Sequence, residues 1–258
     1  MDGHSSWFHL LPGYPNLKSY LAHYLERKDG LEAFPTHFTI AHLVIGAFVA
    51  VLLIVLAVIF AGRLKRDRLV PERTFGVRSF FELIIDATLS IGEGVMGRKN
   101  AERFLPLIGT FVFFILFNNL LGLVPGFLPA TDTLKTNLAL SLLVLLITHG
   151  VGLHTNGIGW IKHFTGGLPK SMFAIIPLIF AIEVLSHFVI RPGSLALRLT
   201  GNMFADHKLL GTIFVLVPLL VPLPFYVLGI LVCVVQTLVF SLLAMIYIGE
   251  AAEVHEAH

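Results

Sequence analysis

Charge is what this chain of 258 residues has least of: Asp, Glu, Lys and Arg together make up 13% of it, about half the share of an average soluble domain. Cysteine is almost missing too. Cys233 is the only one and lies in an apolar run, so no disulfide framework exists and no redox compartment can be read. The first 17 residues lack the basic start and unbroken apolar core of a cleavable signal, because His, Ser, Pro and Gly interrupt them. Neither a His-x-x-x-His helix with an acid nor a Cys pair occurs, which speaks against a metal site. The Gly157-Ile158-Gly159 run has no strand-to-helix context, so it reads as a turn rather than a phosphate cradle, and no cofactor is expected. What remains is apolar, at 56% hydrophobic residues and a mean hydropathy of +0.85. Lipid is the solvent such a chain needs, and the sequence predicts an all-α polytopic membrane protein.

Five segments approach the roughly 20 apolar residues that cross a hydrocarbon core of about 30 Å. They cover residues 39–62, 104–124, 134–153, 171–217 and 225–249. Arg63, Lys65, Arg66, Arg68, Arg73 and Arg78 follow the first span closely, against Lys18, Arg27 and Lys28 before it. The positive-inside rule therefore puts the amino terminus outside and, after five spans, the carboxyl terminus inside. Residues 1–38 become an extracytoplasmic segment, 39–250 a membrane domain and 251–258 a short cytoplasmic tail. Between the first two spans, residues 77–97 set Arg78, Glu82 and Asp86 at four-residue intervals among Phe80, Phe81, Leu83, Ile84, Ile85 and Leu89. That pattern predicts an amphipathic helix lying in the membrane interface. Pro125, Gly126 and Pro129 stop the second span, and Pro218, Pro222 and Pro224 turn the chain into the last.

The fourth segment is too long to stand upright: as one helix of 1.5 Å per residue it would measure roughly 70 Å. Either Pro192 and Gly193 break it in two, or it crosses the membrane at a steep tilt. Its polar residues are Glu183, His187, Arg191, Ser194, Arg198, Asn202 and Asp206, three or four positions apart. At roughly 100° per residue they fall within an arc of about 140°. A face of that kind cannot look at lipid, so it is buried in the chain or lines aqueous cavities and meets a polar partner. Arg198 stands out among these residues. No carboxylate lies between residues 194 and 204 to neutralise it, and a cation near mid-bilayer costs roughly 2.5 to 3.5 kcal/mol on insertion scales.

The stretch Arg191-Pro192-Gly193-Ser194-Leu195-Ala196-Leu197-Arg198-Leu199-Thr200-Gly201-Asn202-Met203-Phe204-Ala205 resembles the signature of subunit a of F-type ATP synthases. Asn118-Asn119-Leu120-Leu121-Gly122-Leu123-Val124-Pro125-Gly126 resembles a second block of that family, and Gln236 falls where the family usually has a glutamine. The resemblance covers about residues 39–250. It implies a non-catalytic stator subunit of a rotary, proton-translocating complex, with a long, strongly tilted fourth helix and a tilted fifth. Two aqueous half-channels would lead to a carboxylate on a ring of c-subunits, and Arg198 would separate them. An arginine suits that task because its pKa exceeds about 12, whereas a desolvated lysine could release its proton.

The same resemblance implies partners: the c-ring, peripheral-stalk b-type subunits, the soluble catalytic head through the stalks, and membrane lipid, with no nucleic acid. It implies a bacterial inner membrane as the location. His207 occupies a position where relatives carry Glu or His in the outer half-channel, and Asp206 one where they often have Gly. Gly229 stands where some relatives have His. Asn202 and Gln236 are suited to positioning Arg198 or ordered water, or serve as interhelical polar contacts worth about 0.6 kcal/mol each. Glu183, His187 and Ser194 complete the expected proton pathway. Arg191 would serve the inner channel or lipid headgroups. Glu183 lies eight residues before Arg191, one more than the resemblance implies, and a local bulge would absorb the extra residue. The rival class, a proton-coupled secondary transporter, could use the same charges but should show a substrate site at broken helices and usually a repeat, neither of which is visible.

Overall fold

A computed structural model describes residues 40–66, 76–124, 127, 129–157, 159–160, 176–216 and 222–253. The expected amino-terminal segment lies outside the described residues, as do Pro125, Gly126, Pro218 and residues 254–258 of the tail. Among the described residues the regular structure is helical throughout. The helices are α1 (Ile40–Arg66), α2 (Val77–Met96), α3 (Arg98–Gly122), α4 (Leu134–Asn156), α5 (Ile176–Leu185), α6 (Arg191–Leu216) and α7 (Pro222–Ala252). A 3-10 turn, Ala130–Asp132, precedes α4, and a π-helical turn, Ser186–Ile190, joins α5 to α6.

Among the described residues five helices are long and apolar enough to cross a membrane: the His42–Ile59 part of α1, then α3, α4, the joined Pro177–Ile213 stretch, and α7. Pro192 and Gly193 do not break the fourth of these. A proline within a regular helix clashes with the carbonyl four residues back and offers it no N–H. Here the wider turn, in which Arg191 N–H reaches back to Ser186 O, comes immediately before Pro192 and lets the helix run on. The same turn lies between Glu183 and Arg191, where the sequence has one residue more than expected. At 1.5 Å per residue the 37-residue stretch is roughly 56 Å long. It fits a core of about 30 Å only when steeply tilted. The 31 residues of α7 also exceed the core, so α7 tilts as well.

Two boundaries differ from expectation for simple reasons. Pro222 and Pro224 do not precede the last helix but form its first turn, where the missing N–H groups would have no intrahelical partner anyway. The third helix starts at Arg98 rather than Phe104, because Arg98 and Glu102 close an ion pair of 2.9 Å one turn apart and carry the helix into water.

A central core joins four helices: Phe111 and Ile115 of α3, Val144 of α4, Leu195, Leu199 and Met203 of α6, and Cys233, Phe240 and Ala244 of α7. The amphipathic α2 packs beside it through Met96, against Phe104, Ile108 and Val112 of α3 and Met245 and Ile248 of α7. Only Gly97 separates α2 from α3, and its φ of +76° lies in the left-handed region that a glycine enters without strain. On the far side of α3, Ile45 and Val49 seat α1 against Phe114, Phe117 and Leu121. Much of the rest of α1 exposes Val51, Ile54, Val55 and Val58, as a lipid-facing helix should.

Trp160 closes one end of the bundle. It is 2% exposed and packs against Val151, Val184 and Ala251, with its ring over Gly152. A Cβ at residue 152 would stand 2.5 Å from two atoms of that ring. We expect Gly152→Ala to cost about 1 to 3 kcal/mol through overpacking. The solubilised protein should unfold at lower temperature, with the Trp160 emission shifted to the red. An unchanged midpoint and spectrum would refute the packing.

Candidate functional site

The polar stripe is only partly one face. At roughly 100° per residue, Arg191, Ser194 and Asn202 lie within about 40° of Arg198, while Asp206 is displaced by about 80° toward the side of Leu199 and Met203. Burial follows that geometry. Arg198 is exposed, Arg191, Ser194, Asn202 and Asp206 are half-buried, and His187 is buried. The stripe therefore divides into a cluster around the start of α6, termed inner after the orientation expected from the sequence, a bare middle, and a cluster farther along α6, termed outer.

The inner cluster surrounds a small cavity lined by Ser141, Thr148 and His149 of α4, His187 of the π turn, Arg191 of α6 and Tyr247 of α7. Arg191 spans to the far end of α7, with Nη1 at 2.7 Å from Glu250 Oε2 and Nη2 at 3.4 Å from Oε1. Its guanidinium also sits 4.8 Å from the centre of the Tyr247 ring. His187 Nδ1 lies 3.0 Å from Glu183 O and 3.3 Å from the Glu183 carboxylate. The ring of His149 stands edge-on to that of His187 at 6.3 Å. Ser194 Oγ donates to Arg191 O at 3.0 Å, so its hydroxyl proton is committed to the backbone. Thr148 Oγ1 is buried with no hydrogen-bond partner. A buried hydroxyl without a protein partner, at the wall of a cavity, calls for water.

The outer cluster surrounds a second cavity, lined by Asn119, Gly122 and Leu123 of α3, Pro129, then Met203, Asp206, His207 and Leu210 of α6, and Cys233 of α7. Asn119 Oδ1 accepts from Thr131 Oγ1 at 2.7 Å. Asn119 Nδ2 and Asp206 Oδ2 are both buried without partners, one a donor and the other an acceptor. One turn of α7 before Cys233, Gly229 could not carry a side chain unless Leu123 moved, since a Cβ there would stand 2.7 Å from Leu123 Cδ2. The side chains of α6 thus supply the titratable groups of this cavity.

Arg198 lies between the two clusters, seven residues after Arg191 and eight before Asp206, roughly 10 Å from each along the axis. Among the described residues it makes no hydrogen bond, ion pair or ring contact. Asn202 and Gln236, both half-buried, are not hydrogen-bonded to it or to any other described residue. The sequence reading paired Asp206 with His207 and set Glu183 and His187 on one polar stripe; the first two line one cavity and the second two are in contact. It missed Thr148, His149, Tyr247, Glu250 and Asn119. A Thr-His pair inside an apolar span was the available signal for the first two.

Comparison with known proteins adds a family. The family model described as "ATP synthase A chain" matches residues 43–249. "ATP synthase subunit a 1" of Syntrophotalea carbinolica is 45% identical over 191 residues, covering 74% of this chain and 78% of that protein. "ATP synthase subunit a" of Trichlorobacter lovleyi is 43% identical over 210 residues, 81% of this chain and 85% of the relative. The protein of that name from Geobacter sulfurreducens is 39% identical over 224 residues, 87% and 93% of the two chains.

The ion pair at the inner cavity can be weighed directly. The side chains of Arg191 and Glu250 are 23% and 32% exposed, so water screens part of their attraction. A double-mutant cycle with Arg191→Gln and Glu250→Gln should give a coupling energy of about 1 kcal/mol in thermal unfolding. A coupling indistinguishable from zero would show that the pair does not hold α6 to α7.

Proposed function

The chain belongs to the ATP synthase A chain family, and from that premise we propose that it is the ion-conducting stator subunit of a rotary ATP synthase. It works inside a membrane-sector complex and has no catalytic role alone. In this reading the outer cavity is the half-channel from outside, with Asp206 and His207 as its titrating groups and Asn119 holding its water. The inner cavity, with Glu183, His187, Thr148 and His149, is the half-channel to the cytoplasm. Arg198 keeps them apart.

The observation that supports the reading is the exposed guanidinium of Arg198, without a partner among the described residues, between two separate small cavities that each have titratable side chains in their walls. A cation left so at membrane depth is stable only when a partner brings a negative group to it. A carboxylate on a passing ring of c-subunits is that group. A proton leaves outer water, passes Asp206 and His207, and neutralises the ring carboxylate, which then moves into lipid. On returning at the inner side the carboxylate loses its proton to the inner cavity and, now negative, is attracted to Arg198. Direct passage between cavities is blocked because the guanidinium neither accepts nor releases a proton near neutral pH. Asn202 and Gln236 line this path as neutral groups that order water without trapping an ion.

The remaining surfaces have assignments as well. The c-ring meets the Arg198 face of α6 and α7. Peripheral-stalk b-type subunits and, through the stalks, the soluble head complete the complex in a bacterial inner membrane. The amino terminus lies outside and the carboxyl terminus inside.

In vesicles holding the assembled complex, Arg198→Ala should abolish coupled pumping and raise passive proton flow, since each proton crossing at about 100 mV releases about 2.3 kcal/mol. Arg198→Lys should fail too, because an ammonium in a partly dry site can lose its proton. Coupled pumping retained by the Ala variant would overturn the mechanism. Replacing Asp206 and His207 together by Leu should lower uptake from the outer side across roughly pH 6 to 8, the range of a histidine relay. Transport equal to the unmodified complex over that range would remove both residues from the path.

A further inference from the structure

Four buried residues from four separate elements are linked by hydrogen bonds, through both the hydroxyl and the main-chain carbonyl of Thr131, and the last of them, Thr200, is two residues from Arg198. Thr131 Oγ1 of the 3-10 turn donates to Asn119 Oδ1 of α3 at 2.7 Å. Asn137 Nδ2 of α4 donates to Thr131 O at 2.6 Å and to Thr200 Oγ1 of α6 at 2.8 Å. Thr200 Oγ1 in turn donates to Ala196 O at 2.8 Å. None of the four is more than 4% exposed. The direction of the run is fixed by chemistry: a carbonyl only accepts, so the amide atom facing Thr131 O must be the nitrogen, and its two hydrogens are then both spent.

Thr200 lies two residues after Arg198. Side chains at that separation point about 200° apart around a helix, nearly to opposite sides. Whatever holds Thr200 inward therefore holds Arg198 outward. Leu195, Ala196, Leu199 and Met203 share the inward side, each buried. Their apolar contacts favour that side, but within lipid such contacts compete with equally apolar acyl chains and have no preferred direction. The bond from Asn137 is directional. A turn of α6 about its own axis would break it and leave a buried amide hydrogen unpaired.

We propose that Asn137 is a positioning residue for Arg198: its amide, held by the Thr131 carbonyl and gripping the Thr200 hydroxyl, fixes the rotation of α6 so that the guanidinium stays on the open face while a moving partner pulls on it. This rests on the role given to Arg198 above. Leu199 and Met203 pack the helix, and Asn137 sets its angle.

The test uses Thr200→Val, which keeps the shape but removes the acceptor, Thr200→Ser, which keeps the hydroxyl, and Asn137→Leu. Each is placed in the assembled complex in vesicles, with a nitroxide attached at Leu197→Cys on the exposed side of α6. Thr200→Val and Asn137→Leu should change the collisional accessibility of the label and raise passive proton leak about tenfold, the population factor for one unpaired buried group. Thr200→Ser should match the unmodified complex in both. An unmoved label in Thr200→Val, a moved label without added leak, or equal loss in the Val and Ser variants would each overturn the inference. The two readings fail separately: the nitroxide reports the clamp whatever the guanidinium does, and Arg198→Ala in the same vesicles reports the charge whatever the clamp does.

Discussion

One guanidinium, Arg198, lies in the fourth spanning stretch with no partner among the described residues, and the surrounding side chains are arranged so as to keep it so. An unpaired cation in a low-dielectric setting attracts whatever acceptor can reach it. The chain has acceptors nearby in sequence, among them Asp206 and Glu183. Helix geometry keeps them away. Asp206 is turned toward the packed side of α6, and Glu183 is engaged with His187 beyond the π turn. The π turn has a second effect, since it carries the helix past Pro192 and keeps both clusters on one rigid rod. A break at Pro192 would have let the two ends choose their angles independently.

Within lipid the usual source of cohesion is weak, because acyl chains solvate leucine as well as another helix does. Directional bonds and close approaches must then select one arrangement. The Asn119, Thr131, Asn137 and Thr200 run ties three helices and a turn at the level of Arg198. The Arg191 and Glu250 pair ties α6 to the end of α7, and Trp160 over Gly152 closes the same end. The bond to Thr200 lies on the side of α6 away from Arg198, whereas the Arg191 and Glu250 pair lies on the Arg198 side, seven residues earlier. Around Arg198 itself no such tie occurs among the described residues, and that stretch of α6 is the one proposed to meet the rotor.

Most of the helical architecture was legible in the sequence, because the length and apolar content of a span depend on local composition. All five spans fall within a few residues of expectation, and α2 is amphipathic where Arg78 and Glu82 predicted it. The choice between a broken and a continuous fourth helix was left open by the sequence, since it turned on whether the backbone could widen before Pro192, although the extra residue between Glu183 and Arg191 points to the local bulge that the π turn supplies. Of the candidate site, the polar stripe on α6 was readable from spacing, and His207 came from the family resemblance. His149, Thr148, Glu250 and Asn119 were not, because each joins the site through tertiary packing from another helix. Ser194 shows the converse. Its spacing puts it on the stripe, yet its hydroxyl is taken by the carbonyl of Arg191.

The two arginines of α6 show how surroundings decide what a charge is for. Arg191 and Arg198 are seven residues apart, on nearly the same side of one helix, and carry the same group. Arg191 meets a carboxylate at 2.7 Å and an aromatic face at 4.8 Å, so its charge is neutralised within the chain and its work is to hold α6 against α7. Arg198 meets neither. The polar residues closest to it in sequence and on the helix face, Ser194 and Asn202, are neutral, and so is Gln236 on the adjoining α7. Neutral neighbours can bind water but cannot offset a charge. The electrostatic attraction of Arg198 is therefore unspent by the fold, and it is available to a carboxylate that comes and goes.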